Sequence, residues 1–183
     1  DGTSIVRDIR LGHTMHEAGV LAFLIRRQDP STFIEIGVHE GGLSYMLIPT
    51  VRCKYIGVEI NCSIVRPEVL KVYSSHSDAE LVCMDCFDSK CYALISSQPN
   101  KIIYCDGGNK PKELEFYKSA CAVGDIIMAH DFYDGTRNVL NVQKVLPEVT
   151  AKDIEIFETD DNFVRIEEIL LKRTRIIAWK RIK

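Results

Sequence analysis

Short apolar runs that end in acidic residues or glycine alternate along this chain with stretches of helical periodicity. Five such runs lie at residues 33–37, 55–59, 80–85, 101–106 and 125–131, and four of them end at an acidic residue. Runs that are apolar on both faces are typical of parallel strands covered by helices on both sides. The alternation therefore predicts an α/β fold of the doubly wound, Rossmann-like kind.

Helix signals fall between these runs. Thr14 and Glu17 have the spacing of a capping box before an apolar helix face. A proline at position 67 favours a helix over 67–73, and a further apolar face predicts a helix that ends before Gly124. For the C-terminal part we expect a helix over 139–146, strands over 154–157 and 175–180, and either a short helix or a strand within 162–172.

Length and charge restrict the class of protein. With 183 residues the chain has room for one sizeable core, so we expect a single domain over 1–183 with a helical N-terminal segment over about 1–30. A net charge of −3 gives no bulk attraction to nucleic acid or to an anionic membrane. The sequence contains no run long enough to span a bilayer and no recognisable secretory signal, so we expect a cytoplasmic protein.

Seven cysteines, several of them inside apolar runs, favour buried thiols in a reducing compartment. Cys83, Cys86 and Cys91 offer the alternative of a zinc site. A structural zinc site needs four ligands in paired spacing, however, and a second Cys-x-x-Cys pair is missing.

The segment from Glu35 to Ser44 follows the first predicted strand and precedes a helix. Its glycines allow a ligand to approach the backbone, and its amides can face a polar group. The spacing is Gly-x-x-x-Gly and not the Gly-x-Gly-x-x-Gly of dinucleotide-binding folds. Taken alone the loop also fits an ordinary strand-to-helix turn.

Two acidic residues at later strand ends add to this signal. Glu59 comes about 20 residues after the loop, where a carboxylate can accept hydrogen bonds from both hydroxyls of a ribose. Asp85 ends the third run, where it can meet an adenine amino group. A solvated strand end is the alternative for each of them.

Four segments together resemble the motifs of class I S-adenosylmethionine (SAM)-dependent methyltransferases. They read Phe-Ile-Glu-Ile-Gly-Val-His-Glu-Gly-Gly, Gly-Val-Glu-Ile, Tyr-Cys-Asp-Gly-Gly-Asn and Met-Ala-His-Asp-Phe, within about residues 30–135. The likeness is greatest to the branch with cephalosporin-hydroxylase-like and macrocin-type O-methyltransferases. It implies a seven-stranded, mostly parallel sheet with an antiparallel last strand, which suits the run at 175–180.

The resemblance also implies roles for individual residues. The cofactor-binding positions that it implies are Glu35, Gly37, Val38, His39 and Gly41 in the loop, Glu59 at the ribose, Asp85 and Cys86 at the adenine, and Asp106. Relatives have serine directly after the paired glycines, whereas Leu43 precedes Ser44 here. A contact between Ser44 and the cofactor is therefore not expected.

Asp106, His130 and Asp131 form a second group, at strand ends where α/β folds place their ligand crevice. In catechol-O-methyltransferase-like enzymes the corresponding positions ligate magnesium, which activates the acceptor hydroxyl. Imidazole is a poor magnesium ligand, so manganese or an iron-like ion bound by all three residues is an alternative. A further alternative makes His130 a general base of near-neutral pKa that works without metal.

These features predict a SAM-dependent enzyme that methylates a hydroxyl of a small or sugar-like acceptor, with Asp106, His130 and Asp131 as catalytic residues. We expect no nucleic-acid or membrane partner, and a homo-oligomer remains open. The alternatives are a nicotinamide-dependent oxidoreductase, which the glycine spacing disfavours, and a non-catalytic cofactor-binding subunit. The remaining histidines, including His13, are not spaced as ligands, and the C-terminal basic residues, including Arg175, are expected to be solvated.

Overall fold

The computed structural model describes residues 5–6, 9–10, 12–133 and 148–183. Its strands are β1 (Ile5–Val6), β2 (Ile9–Arg10), β3 (Thr32–Ile36), β4 (Lys54–Glu59), β5 (Ala79–Cys83), β6 (Lys101–Cys105), β7 (Ile126–Ala129), β8 (Phe163–Arg165) and β9 (Ile177–Arg181). Its helices are α1 (Met15–Gln28), α2 (Gly42–Leu47), α3 (Pro67–Ser75), α4 (Ser89–Ser96), α5 (Lys110–Lys118), α6 (Glu155–Glu158) and α7 (Glu168–Leu171). Among the described residues, no helix has the length and apolarity that crossing a membrane requires.

Strands β3 to β9 form one seven-stranded sheet in the order β5-β4-β3-β6-β7-β9-β8. Strands β3 to β7 pair in parallel, and β9 is antiparallel to both of its neighbours, β7 and β8. This confirms the predicted Rossmann-like sheet with an antiparallel last strand. The order reverses between β3 and β6, and open α/β sheets bind ligands where the strand order reverses.

Successive side chains along each strand point to opposite faces of the sheet, so the core has two layers. Phe33, Tyr55 and Tyr104 face the layer that packs against α1, α2 and α3. Ile34 and its equivalents on the opposite face pack against α4, α5 and α6. Because both faces are covered, the central strands are buried along their whole length, which explains their continuous apolar runs.

The predicted capping box at the start of α1 is present. Thr14 accepts a hydrogen bond from the backbone amide of Glu17, and the Glu17 carboxylate accepts one from the Thr14 amide at 2.9 Å. The helices expected at Pro67 and before Gly124 are α3 and α5. The helix predicted over 139–146 lies outside the described residues.

The strand predicted over 154–157 is wrong, because this segment forms the short helix α6. Ile154 and Phe157 are buried while the residues between them are more exposed, which is the spacing of a helix face. Thr150 starts the turn by donating its amide to Asp153 at 2.8 Å. The undecided segment 162–172 contains both possibilities, since β8 and α7 follow each other there.

Cys62 and Cys83 form a disulfide with a Cα–Cα distance of 5.7 Å. It joins the turn after β4 to the end of β5. The expectation that all cysteines are reduced thiols is therefore wrong for this pair, and Cys83 is not available as a zinc ligand. The five other cysteines are free, and Cys91, Cys105 and Cys121 are buried as expected.

Candidate active site

A cleft of about 460 Å³ lies at the carboxyl ends of β3, β4, β6 and β7, where the strand order reverses. The loop after β3 forms one wall, and the segments after β6 and β7 form the other. The predicted site residues that line it are Glu35, Gly37, Val38, His39, Glu59, Asp106, His130 and Asp131. Gly12, His13, Gly107 and Gly108 complete the lining. The sheet therefore brings most of the predicted residues to one place.

The two glycines of the Gly-x-x-x-Gly spacing, Gly37 and Gly41, have different roles. Gly37 has a φ of +86°, and a Cβ there would lie 2.5 Å from the Cα of Gly107. Glycine is thus required for the backbones after β3 and β6 to approach each other at the cleft floor. Gly41 has a φ of +89° and packs against Val69 of α3. It lies outside the cleft lining and starts α2.

Glu59 ends β4 with a carboxylate that two backbone amides hold. The amide of His39 donates to one oxygen at 2.8 Å, and the amide of Asn61 donates to the other at 2.9 Å. The side chain is only 7% exposed but lines the cleft. Each oxygen keeps a lone pair for a ligand, so the carboxylate can accept two hydrogen bonds from adjacent hydroxyls.

A second cleft of about 330 Å³ adjoins the first. Asp85 and Cys86, the positions that the resemblance implies for the adenine, line it, and Ile60, which is 71% exposed, forms part of its apolar wall. The Asp85 carboxylate accepts a hydrogen bond from the Phe87 amide at 2.9 Å. The residues that line both clefts are Gly37, Glu59, Gly107 and Gly108. A ligand with a polar and an apolar end can thus extend past Glu59 from one cleft into the other.

Glu35 lies fully buried at the end of β3. Its carboxyl accepts hydrogen bonds from Tyr55, at 2.5 Å, and from Ser44, whose hydroxyl also contacts Tyr73 at 2.9 Å. Burial raises the pKa of Glu35 to about 8, although the hydrogen bonds from Ser44 and Tyr55 oppose this shift. Ser44 therefore holds the Glu35 carboxyl by a hydrogen bond inside the core.

His130 follows β7 and is buried among acidic side chains. Its Nδ1 lies 3.1 Å from Asp106 and 3.4 Å from Asp131, and its Nε2 lies 3.6 Å from Glu17. Burial alone would lower the pKa of His130, but the charge of Asp106 and hydrogen bonds to the surrounding carboxylates hold it well above its usual value. The surrounding carboxylates therefore favour the protonated imidazole, which argues against the alternative of a general base with near-neutral pKa.

His13 is a site residue that the sequence reasoning missed. It precedes α1 and stacks on His130 with 4.1 Å between ring centroids. Its Nε2 lies 2.7 Å from the Tyr104 hydroxyl and 3.3 Å from Asp106. One ligand atom each from His13, Asp106 and His130 lies within 4.8 Å of the others, close enough to hold a metal ion. Two imidazoles and one carboxylate suit manganese or iron better than magnesium.

Arg175, which precedes β9, contacts Glu17 of α1 next to this cluster. The Arg175 guanidinium contacts Glu17 at 3.2 Å and Asp131 at 2.6 Å, and its backbone amide donates to Glu17 at 2.9 Å. Arg175 is thus an ion-paired residue of the site, and the expectation that it is solvated is wrong. Burial raises the pKa values of Glu17 and Asp131, but His130, and to a smaller extent Arg175, hold them below their usual range.

The predicted magnesium ligands Asp106, His130 and Asp131 do not fit that ion. Arg175 occupies one oxygen of Asp131, and the ammonium of Lys110 lies 3.1 Å from the other. Magnesium needs near-octahedral oxygen ligands and retains several waters. Within the described part of the chain, the only group of three side chains placed closely enough to hold one metal ion contains His13 in place of Asp131.

Comparison with known proteins finds similarity in structure but not in sequence. No family model matches the sequence, and no curated protein matches it. Among solved structures, CmcI with magnesium and SAM is 16% identical with a TM-score of 0.69, and the match covers 98% of this chain and 77% of that one. An O-methyltransferase from Bacillus cereus in complex with SAH, the demethylated form of SAM, is 15% identical with a TM-score of 0.64, covering 93% and 82%.

TomG, the O-methyltransferase from Streptomyces achromogenes that is involved in tomaymycin synthesis, was solved in complex with SAM. It is 13% identical with a TM-score of 0.63, and the match covers 97% of this chain and 84% of that one. At such low sequence identities the similarity establishes the fold, and the chemistry has to be argued from the residues of the site. Together with the observed strand order, it shows that this chain has the fold of class I SAM-dependent methyltransferases.

Proposed function

We propose that this protein is a SAM-dependent methyltransferase that acts on a hydroxyl group of a small molecule. The observation that carries the proposal is the Glu59 carboxylate, which the amides of His39 and Asn61 orient at the centre of the cleft. Such a fixed carboxylate is suited to the two hydroxyls of a ribose. It distinguishes a nucleoside site from an ordinary strand-to-helix turn.

The residues around Glu59 fit the rest of the cofactor. The adenine would lie in the second cleft against Ile60, Asp85 and Cys86, and the methionine part would lie in the first cleft near Glu35. Gly37 and Gly107, whose backbones approach each other closely, line both clefts and form the floor between them. When bound, SAM supplies a methyl group on a positively charged sulfur, which is a strong electrophile.

Asp106 is the residue that we assign to the acceptor. Its carboxylate lines the first cleft, and His130 holds it from behind at 3.1 Å. Charges on His130, His13 and Lys110 hold the pKa of Asp106 below its usual value even though burial opposes this, so it is ionised. It can accept a hydrogen bond from an acceptor hydroxyl and orient the oxygen toward the methyl group.

A carboxylate of low basicity is adequate for the proton transfer. As the new C–O bond forms and the C–S bond breaks, the hydroxyl proton becomes strongly acidic, and Asp106 can take it and release it to solvent. His130, protonated and hydrogen-bonded to Asp106, acts here as a positioning residue. Positioning of the two reactants then supplies much of the rate enhancement.

The size of the site favours a small acceptor. A cleft of about 460 Å³ lies within the range of about 300–1,000 Å³ that is usual for small-molecule sites. SAM and SAH are bound by O-methyltransferases of the same fold, TomG and the Bacillus cereus protein respectively. We therefore assign the acceptor to small hydroxylated or sugar-like molecules, and expect neither nucleic acid nor membrane as partner.

The test is methyl transfer from SAM with an isotopically labelled methyl group to a panel of phenols, catechols and sugars. We expect the wild type to label an acceptor, and Asp106→Asn to lower kcat on the order of a hundredfold. Asp161→Asn changes an exposed aspartate and should leave kcat unchanged. Labelling that is insensitive to Asp106→Asn contradicts the role of Asp106, and SAM binding without any labelling favours a non-catalytic cofactor-binding subunit.

A further inference from the structure

Lys110 is a buried cation that the fold inserts between the two aspartates of the site. It begins α5, four residues after Asp106, and its side chain is about 5% exposed. The ammonium lies 3.1 Å from Asp131 and 3.6 Å from Asp106, and 2.5 Å from Glu148. It also donates a hydrogen bond to the Gly107 carbonyl at 3.1 Å. Lys110 therefore bridges the strand ends of β6 and β7.

All four carboxylate oxygens of these aspartates have a nitrogen partner. In Asp106, Oδ1 lies 3.1 Å from His130 and Oδ2 lies 3.3 Å from His13. In Asp131, Oδ1 lies 2.6 Å from Arg175 and Oδ2 lies 3.1 Å from Lys110. A divalent ion between the aspartates would have to displace these partners and would stand next to the Lys110 ammonium.

We propose that the Lys110 ammonium takes the position between Asp106 and Asp131 that a divalent metal takes in metal-dependent methyltransferases of this fold. The comparison with metal-dependent methyltransferases rests on the proposed function, whereas the contacts of Lys110 do not depend on it. Lys110 and Arg175 each bring a positive charge to Asp131, in addition to the imidazole of His130. The Lys110 ammonium belongs to the chain itself, so it does not have to be bound from solution as a metal ion would.

The chemistry of lysine at this site agrees with a permanent charge. Burial alone would lower the pKa of Lys110, but Asp106 and Asp131 raise it above its usual value. These two carboxylates thus favour the charged ammonium. Removing it would take one of the two cationic partners that Asp106 and Asp131 share and leave them only His130 in common, which would increase their attraction for another cation.

Manganese provides a direct test that needs neither SAM nor acceptor. Free Mn²⁺ is titrated into metal-stripped protein and followed by electron paramagnetic resonance. We expect the wild type and the exposed-lysine control Lys90→Ala to bind Mn²⁺ only weakly, and Lys110→Ala to bind it on the order of tenfold more tightly or better, because the carboxylates regain an open position. Adding Asp131→Asn to Lys110→Ala should abolish the gain.

The outcomes separate this proposal from its alternatives. Tight Mn²⁺ binding by the wild type that His13→Ala removes would overturn it in favour of a His13, Asp106 and His130 metal site. A folded Lys110→Ala that gains no affinity would overturn it as well. Lys110→Gln retains a hydrogen-bond donor and replaces the alanine variant if that one does not fold, with the same gain expected. Because no cofactor is present, none of these results depends on whether the protein transfers methyl groups.

Discussion

Glu35 shows how a single buried residue links the site to the stability of the protein. Burial raises its pKa to about 8, and the charges of Asp106 and Glu59 add to this shift, while hydrogen bonds from Ser44 and Tyr55 reduce it. In the unfolded chain the same carboxyl has a pKa near 4.5. Between these two values the unfolded state releases the proton and the folded state retains it, so folding becomes less favourable as the pH rises.

Glu35→Gln should remove this pH dependence. The amide has the same shape and remains neutral, and one pKa unit corresponds to about 1.4 kcal/mol. We expect the free energy of unfolding of the variant, relative to the wild type, to increase by several kcal/mol between pH 5 and pH 8, measured by urea denaturation. Asp106 and Glu59 are present in both proteins, so their own titration cancels.

The exposed Glu80→Gln serves as the matched control and should show no such increase. If Glu35→Gln and the wild type differ by the same amount at pH 5 and pH 8, Glu35 is ionised in the folded protein. The assignment of a protonated carboxyl at the cleft floor would then be wrong.

Residues whose position depends on local sequence could be predicted, and those that depend on distant contacts could not. Glu59 follows an apolar run at a fixed distance from the glycine loop, so the sequence alone indicates its place. His13 comes before the first strand of the seven-stranded sheet, and only the packing of α1 on this sheet brings it onto His130. Arg175 and Glu17 are 158 residues apart, and their pairing has no local signal.

At the scale of elements, the length of a segment decided how well its periodicity could be read. The runs that became β3, β4 and β6 are five or six residues long and buried throughout apart from Lys54, so a strand was the natural assignment. The segment that became α6 has four residues, and over four residues a strand and a helix produce nearly the same apolar pattern. The buried face of this segment could be recognised only from its packing against β8 and β9.

The disulfide is an element-scale feature with a testable consequence. Cys62 and Cys83 join the turn after β4 to the end of β5, where Cys83 pairs with Glu59 in the sheet. Cross-linking over 21 residues stabilises a protein mainly by restricting the unfolded chain, typically by about 2–4 kcal/mol. We expect the double variant Cys62→Ser, Cys83→Ser to lose an amount of this order in the free energy of unfolding.

A reducing agent provides the control for this prediction. It should lower the thermal midpoint of the wild type toward that of the double variant and leave the double variant unchanged. A wild type whose midpoint does not respond to reduction, although mass spectrometry shows both thiols free, would contradict a stabilising role for the disulfide.

At the scale of the whole molecule, the strand order creates one place where loops from β3, β4, β6 and β7 meet. This arrangement could be predicted, because buried parallel strands can be recognised in the sequence as apolar runs and the family resemblance implied their order. The charge pattern of the site could not. Lys110 follows a motif that the sequence reasoning did use, but that its ammonium reaches Asp131 on the next strand depends on how β6 and β7 pair.

The central claim is that the cleft around Glu59 binds SAM, and isothermal calorimetry of the wild type tests it most directly. We predict binding of SAM and SAH with micromolar affinity and no detectable binding of NAD. Glu59→Gln, which loses one charged acceptor for the ribose hydroxyls, should weaken SAM binding by roughly tenfold or more, since a hydrogen bond to a charged group contributes about 1.5–3 kcal/mol. Glu80→Gln should leave it unchanged. Binding of NAD, with no binding of SAM or SAH, would contradict the account.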